Sequence, residues 1–318
     1  MSVSLPEISL VTETFNLDEG QGIEPTRQAL FRLCEMARLH GNAEVILADS
    51  MPPNLLVASL LQQFRQVRHV NQPGLGYEGI KNVAASQAKG TYVVYLDSDC
   101  LPLSRDWLDT LLQPLRQGKA EAATGLTRYH GDSLLHRVTE ILDFGFVIAD
   151  AAENVGCYTS NNCAFVRRLR VELPAPDGAM RCTCYAHAQL LLRRGFPMRR
   201  VPEAVVQHEL PPVFKERWRR GYDLVAACWV NPTLPETRWL RLGVLASPLF
   251  LWANMRMDWR RLAVMRAANG WNGGGLFAAR TLAILLRLID LGGIIRALAF
   301  GPARGWGAYG AASAPPTA

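Results

Sequence analysis

Along the first half of the chain, short apolar runs alternate with stretches of helical spacing. Glu7–Thr12 (EISLVT) is dense in strand formers. After a polar loop, Pro25-Thr26 open a helix whose Leu30, Leu33, Cys34 and Ala37 keep helical spacing, with Gly41 as its stop. Glu44–Ala48 reads as a buried strand ending at Asp49, Leu55–Phe64 as a helix and Val67–Val70 as a third strand. Gly74 and Gly76 break the chain before a helix, Glu78–Ala88, that stops at Gly90. Thr91–Leu96 (TYVVYL) is a continuous apolar strand running into Asp97-Ser98-Asp99. Strands alternating with helices of this length predict an α/β fold with a mainly parallel sheet covered on both faces. Such sheets bind ligands beyond the carboxyl ends of their strands. Asp49 and the Asp97/Asp99 pair both fall there.

With 318 residues, 49% hydrophobic and 19% charged, the chain can bury a sizeable core and is not a disordered one. Seven cysteines, odd in number and irregularly placed with no amino-terminal signal pattern, point to a reducing compartment. The formal charge of +6 is unevenly spread. From Lys215 onward 14 basic residues face 5 acidic ones, a net +9, which leaves −3 for the residues before it. These basic residues sit among Trp, Leu, Phe and Gly, which suits an anionic membrane surface better than nucleic acid. Leu242–Met255 is uncharged over 14 residues, too short to cross a bilayer, and Pro248 interrupts it. Leu276–Phe300 contains Arg280, Arg287, Asp290 and Arg296. Helices lying in the membrane interface are expected there, with a helical subdomain packed on the sheet as the alternative. Gly305–Ala318 reads as a disordered tail.

Two carboxylates one residue apart, directly past a buried strand, could share a divalent cation. Hard oxygen ligands select Mg²⁺ or Mn²⁺. The same residues could instead form a polar turn that caps the next helix.

In sum these residues resemble a GT-A fold glycosyltransferase of the family 2 type, from the first strand to about residue 230. Thr14-Phe15-Asn16 stands where the family has a Thr-Tyr-Asn turn along the nucleotide, with Glu13 in place of the usual Pro. Asp49 matches the acid that contacts the base, and Asn71–Ala84 resembles the Gly-rich loop and its helix, with Lys81 for the Arg that faces the nucleotide and Asn82 beside it. Asp97-Ser98-Asp99 matches the metal-binding motif, followed by Leu101-Pro102 and Trp107-Leu108. Tyr158–Val166 resembles the segment beside the donor sugar, where Asn161 and Asn162 could bond a sugar or form a turn. Val201–Glu209 resembles the strand that ends in a histidine, which makes His208 a candidate third metal ligand. Arg217–Tyr222 resembles a basic helix behind the cleft, able to meet diphosphate or anionic lipid. Taken singly, Asp49 could merely cap a helix, Lys81 could be solvated, Thr14 and Asn16 could satisfy loop backbone, and His208 could be structural.

The resemblance implies a metal-dependent, inverting transfer of a sugar from a nucleotide-diphosphate donor, carrying UDP or GDP, to a glycan or lipid-linked acceptor in polysaccharide assembly. It implies Mn²⁺ or Mg²⁺ as cofactor and no nucleic-acid partner. It divides the chain into a GT-A domain over 1–230, a membrane-associating helical extension over 231–304 and a tail over 305–318. The protein would be cytoplasmic and peripheral at the inner face of the membrane. One departure stands out. The family's acidic pair, whose second member takes the acceptor's proton, is replaced by Thr183-Cys184. Asp177, Cys184, His187 and Glu209 are the candidate substitutes, with Cys182, Cys184 and His187 also open to a zinc reading. Alternatively the acceptor needs little activation, or the chain is a silent nucleotide-sugar-binding scaffold of a glycan assembly complex. A nucleotidyltransferase would need a basic phosphate-gripping loop after the first strand, and Thr12–Gly22 has no Lys or Arg.

Overall fold

The computed structural model describes residues 5–18, 22–149, 153–176, 183–230 and 234–301. Strand β1 (Ile8–Glu13) leads through a short helix α1 (Phe15–Asp18) to helix α2 (Glu24–His40), which ends at Gly41 in the left-handed region (φ 76°). Strand β2 (Ala43–Asp49), helix α3 (Leu55–Gln63), strand β3 (Arg68–Asn71), helix α4 (Tyr77–Gln87) and strand β4 (Tyr92–Leu96) repeat the alternation. Strand β5 (Cys100–Pro102), helix α5 (Trp107–Arg116), strand β6 (Ala122–Tyr129) and helix α6 (Leu134–Ile148) follow. Next come strands β7 (Asn154–Val155) and β8 (Asn162–Val166), helices α7 (Arg167–Glu172) and α8 (Thr183–Arg193), and the long strand β9 (Met198–His208). Helix α9 (Val213–Val230), a 3-10 segment over Pro235–Ala246, and helices α10 (Ser247–Val264) and α11 (Gly273–Phe300) complete the described chain.

Among the described residues, nine strands form one sheet in the order β3-β2-β1-β4-β8-β6-β9-β5, with β7 pairing to β9. The first four are parallel, as the alternation of strand and helix requires; β8 then runs antiparallel between β4 and β6, so the sheet is mixed. Alternate strand residues feed two cores. Leu10, Val45 and Val94 pack with α2, α3 and α5 on one face. Val11, Ile46 and Tyr95 pack with α4, α7 and α8 on the other.

The carboxyl-terminal helices cover the far end of the sheet. Leu126, Tyr129 and Ile141 share a core with Leu262, Ala279 and Leu286, and Tyr222 and Val225 share one with Phe250 and Ile294. Helices α9 and α11 approach backbone to backbone at Gly221 and Gly293, where an added Cβ would lie 1.8 Å from the Asp290 carbonyl and 2.0 Å from that of Trp218. Pro248 opens α10 at its first turn, where the missing N–H costs nothing. Among the described residues no helix is long and apolar enough to cross a membrane.

Candidate active site

The parallel register places Glu13 beside Ala48 and Asp49 beside Asn71, so the residues past β1, β2 and β4 gather at one edge. Asp49 is buried there and fully engaged. One oxygen accepts from Thr14 Oγ1 (2.8 Å) and the Met51 N–H (3.0 Å). The other meets His69 Nε2 (3.0 Å) and Asn71 Nδ2 (2.9 Å). Thr14 and Asp49 thus clamp the first three strands together. For Asn16 the backbone lies in α1, and its side chain lies outside the described residues.

Asp97 faces a cleft of about 540 Å³, while Lys81 lies behind it. Lys81 Nζ is 2.6 Å from Asp97 Oδ1, and it also donates to Tyr77 Oη and to the Ser160 carbonyl (3.0 Å). Tyr77 Oη in turn donates to Asp97 (2.6 Å). Burial works against the Lys81 charge, but Asp97, Glu78 and Glu13 outweigh it and hold its pKa above the ordinary lysine value. Glu13 shows the opposite balance. Burial first and the Asp97 charge second push its carboxyl up to about 8, with Lys81 pulling the other way. Burial and the neighbouring Asp97 charge thus disfavour the ionised form of Glu13 at this edge.

Asp99 Oδ2 is 3.2 Å from His208 Nε2 across the β5–β9 pair, and Asp99, Cys100 and His208 are the one group among the described residues whose donor atoms lie within 4.8 Å of one another. Cys100 is a poor third ligand for a hard cation, since burial, then Asp99 and Asp97, push its thiol well up. Asp97, Asp99 and His208 all line the cleft. Asp97 lies outside that close group, so the donors together here are the Asp99 carboxylate and the His208 imidazole, with Asp97 on the same cleft wall. Oxygen and imidazole donors fit Mn²⁺ or Mg²⁺.

The remaining candidates separate clearly. Asn161 lines the cleft, its Oδ1 accepting from Thr127 Oγ1 (2.8 Å). Asn162 does not. It accepts from Trp107 Nε1 (3.0 Å) and donates to the carbonyls of Leu126 (2.8 Å) and Ala204 (2.9 Å), filling the β6 irregularity at Gly125. Cys184 lines the cleft, its Sγ 3.9 Å from that of Cys157. Glu209 is exposed and is not part of the cleft wall. Asp177 and Cys182 lie outside the described residues. His187 is buried: Nδ1 meets Tyr158 Oη (2.8 Å) and Arg170 (3.1 Å), and Nε2 meets the Leu173 carbonyl (2.8 Å). Burial and the Arg170 charge push it down to about 3, so it is a neutral structural imidazole.

The other wall of the cleft comes from α6, α9 and the extension. Asp143 accepts from Tyr129 Oη (2.8 Å) and Arg217 Nη1 (2.7 Å). Arg217 Nε continues to Asp290 (2.8 Å), Arg287 Nη1 donates to Asp290 (2.6 Å), and Arg287 Nε donates to Asp258 (2.7 Å). This buried ladder joins α6, α9, α10 and α11. Burial alone would raise Asp143, but Arg217 and Arg220 hold it below the usual carboxylate range. Glu236, Trp239 and Arg261 add to the wall. Sequence reasoning missed Tyr77, Asp143 and Glu236. The signal for Asp143 was an acid inside an apolar helix (ILDFGFVI); Tyr77 and Glu236 carry no local one.

A mixed sheet flanked by helices, with an acidic pair past β4 facing a cleft, defines the GT-A fold. The model of glycosyl transferase family 2 matches residues 9–171, and the chain belongs to that family and is a glycosyltransferase. Among solved structures it is similar to the mannosyltransferase PcManGT from Pyrobaculum calidifontis, in complex with GDP-Man and Mn²⁺. That match has a TM-score of 0.62 and 18% identity, covering 93% of this chain and 88% of that one. It is also similar to a mycobacterial protein, with a TM-score of 0.51 and 15% identity, covering 72% and 76%. No curated protein sequence matches significantly.

Proposed function

We propose that the chain moves a sugar from a nucleoside-diphosphate donor to a glycan or lipid-linked acceptor by a single displacement with inversion, dependent on Mn²⁺ or Mg²⁺. The observation that carries this reading is that Asp97, Asp99 and His208 line one cleft large enough for a nucleotide sugar. Asp97, Asp99 and His208 would hold the cation, which supplies positive charge to a departing diphosphate. Lys81 and Tyr77 fix the Asp97 carboxylate from behind, and Asn161 offers an amide to the donor sugar. Thr14 and Asp49 shape the nucleotide end by fixing the strand ends rather than by offering free lone pairs. PcManGT, seen with GDP-Man, makes GDP-mannose the first donor to try.

The test is a donor panel (GDP-mannose, UDP-glucose, UDP-N-acetylglucosamine) with Mn²⁺, Mg²⁺ or EDTA, following free nucleoside diphosphate. One donor should give metal-dependent release that EDTA stops. Donor binding without release across the panel would instead support the silent scaffold, the reading that Thr183-Cys184 favours.

The extension adds a site of action. Trp252, Phe277 and Phe300 are 60%, 73% and 77% exposed on helices that also carry Arg256, Arg260 and Arg296. This pattern suits peripheral docking on the inner, anionic face of the cytoplasmic membrane. The full chain should float with vesicles of anionic phosphatidylglycerol, less so in high salt, and not with phosphatidylcholine alone. Equal binding to both vesicles contradicts an electrostatic component, and binding to neither removes the membrane role.

A further inference from the structure

Displacement at an anomeric carbon by a hydroxyl needs a group that takes the hydroxyl proton, and that group must face the cleft with a lone pair to spare. Among the described residues four carboxylates line the cleft: Asp97, Asp99, Asp143 and Glu236. Asp97 is held by Lys81 and Tyr77, and Asp99 faces His208. Asp143 is bound by Arg217 and Tyr129, with Arg220 Nε at 3.4 Å. Glu236 has no hydrogen bond or ion pair with any described residue. It is half-buried in the first turn of the 3-10 segment and projects from the extension.

Its neighbours show which elements it adjoins in the cleft wall. Burial first, then the Glu236 charge, raises both the Tyr185 hydroxyl and the Cys228 thiol, the latter to about 11. Glu236 is thus near enough to the first turn of α8 and the last turn of α9 for its charge to act on both. Thr237, the next residue, donates to the Cys228 carbonyl (3.4 Å) and pins the segment there. Tyr185 adjoins Cys184 in the cleft wall, and Glu236 lines the same cleft as this start of α8, which itself presents Thr183 and Cys184 and no acid.

We propose that Glu236, supplied by the carboxyl-terminal extension, is the general base of the transfer. This rests on the transferase reading above. The acceptor oxygen forms its bond to the anomeric carbon as the bond from that carbon to the diphosphate oxygen breaks. The electron pair leaves with the diphosphate, and the hydroxyl proton passes to the Glu236 carboxylate and then to water. The extension is thus part of the catalytic apparatus, and a base is absent from α8 because another segment brings one.

Water serves as the probe acceptor. Nucleoside diphosphate release from each panel donor with Mn²⁺ is compared in wild type, Glu236→Gln, Glu236→Asp and Cys184→Ala, with donor affinity measured by calorimetry. Glu236→Gln should lose about a hundredfold in turnover with donor affinity unchanged. Glu236→Asp, which keeps a carboxylate, should turn over about tenfold below wild type with donor affinity again unchanged. If the Gln variant does not fold, the Asp variant decides through the same split between turnover and affinity. Both Glu236 variants within threefold of an active wild type overturn the proposal, as does loss of turnover in Cys184→Ala alone. A wild type that releases nothing from any donor removes the transferase reading itself, and the base with it.

Discussion

At the sheet end of the cleft, Asp97, Asp99 and Glu13 share Lys81 and His208; at the helical end, Asp143, Asp290 and Asp258 alternate with Arg217 and Arg287. Both ends are buried charge, yet the shifts run in opposite directions. Glu13 is pushed up to about 8, by burial first and the Asp97 charge second, whereas Arg217 and Arg220 hold Asp143 below its usual range despite its burial. A buried acid beside another negative charge costs stability and is eased by a cation; a buried acid between guanidiniums is already neutralised. The first arrangement suits binding a cation and a diphosphate. The second suits holding four helices in register.

The largest effect should come from breaking the balanced end. Asp290→Ala leaves Arg217 and Arg287 buried with half their partners and should cost about 3–5 kcal/mol in urea unfolding. A loss under about 1 kcal/mol would show that the ladder does not hold the helices. Asp99→Ala probes the unbalanced end and should behave differently. Metal-dependent nucleoside diphosphate release should fall by about 10²–10³ while the unfolding midpoint stays or rises. A comparable loss of stability in both variants would erase the distinction between the two ends.

The sheet end is far more legible in the sequence than the helical end, and distance along the chain explains why. The strands before Asp49 and Asp97 fall within a residue or two of expectation, and Gly41 does cap α2 in the left-handed region. Each rests on local patterning. By pattern Asn162 is open to a sugar or a turn, because nothing local shows that Trp107, Leu126 and Ala204 use up its amide. The Asp143–Arg217–Asp290 chain spans more than 70 residues at each step. Helix α11 has an apolar face that fits lipid or protein equally by pattern. Its Ala279, Ala283, Leu286 and Ile294 are in fact spent on the protein's own core, while Leu285 and Leu288 remain exposed.

A smaller effect sharpens the electrostatic account. His187 is pushed down to about 3, below the ordinary value of 6.5. The unfolded chain therefore gains a proton between pH 6.5 and 3 that the folded chain does not, and stability falls as pH drops through that window. From pH 7 to pH 5 this amounts to about 2 kcal/mol, and His187→Gln should remove that part of the slope. An unchanged slope would place the imidazole in a different environment. Smallest is Thr14→Val, which removes one of four donors to Asp49 and should cost about 1 kcal/mol in stability. A loss of donor affinity well beyond that would mean Thr14 touches the nucleotide directly.

The most direct test of a single displacement in this cleft is the anomeric configuration of the sugar first released. With an α-linked donor such as GDP-mannose and Mn²⁺, proton NMR within the first minutes, before mutarotation, should show the β-anomer ahead of the α. The α-anomer appearing first would contradict the account, because it requires two displacements or attack from the leaving-group face.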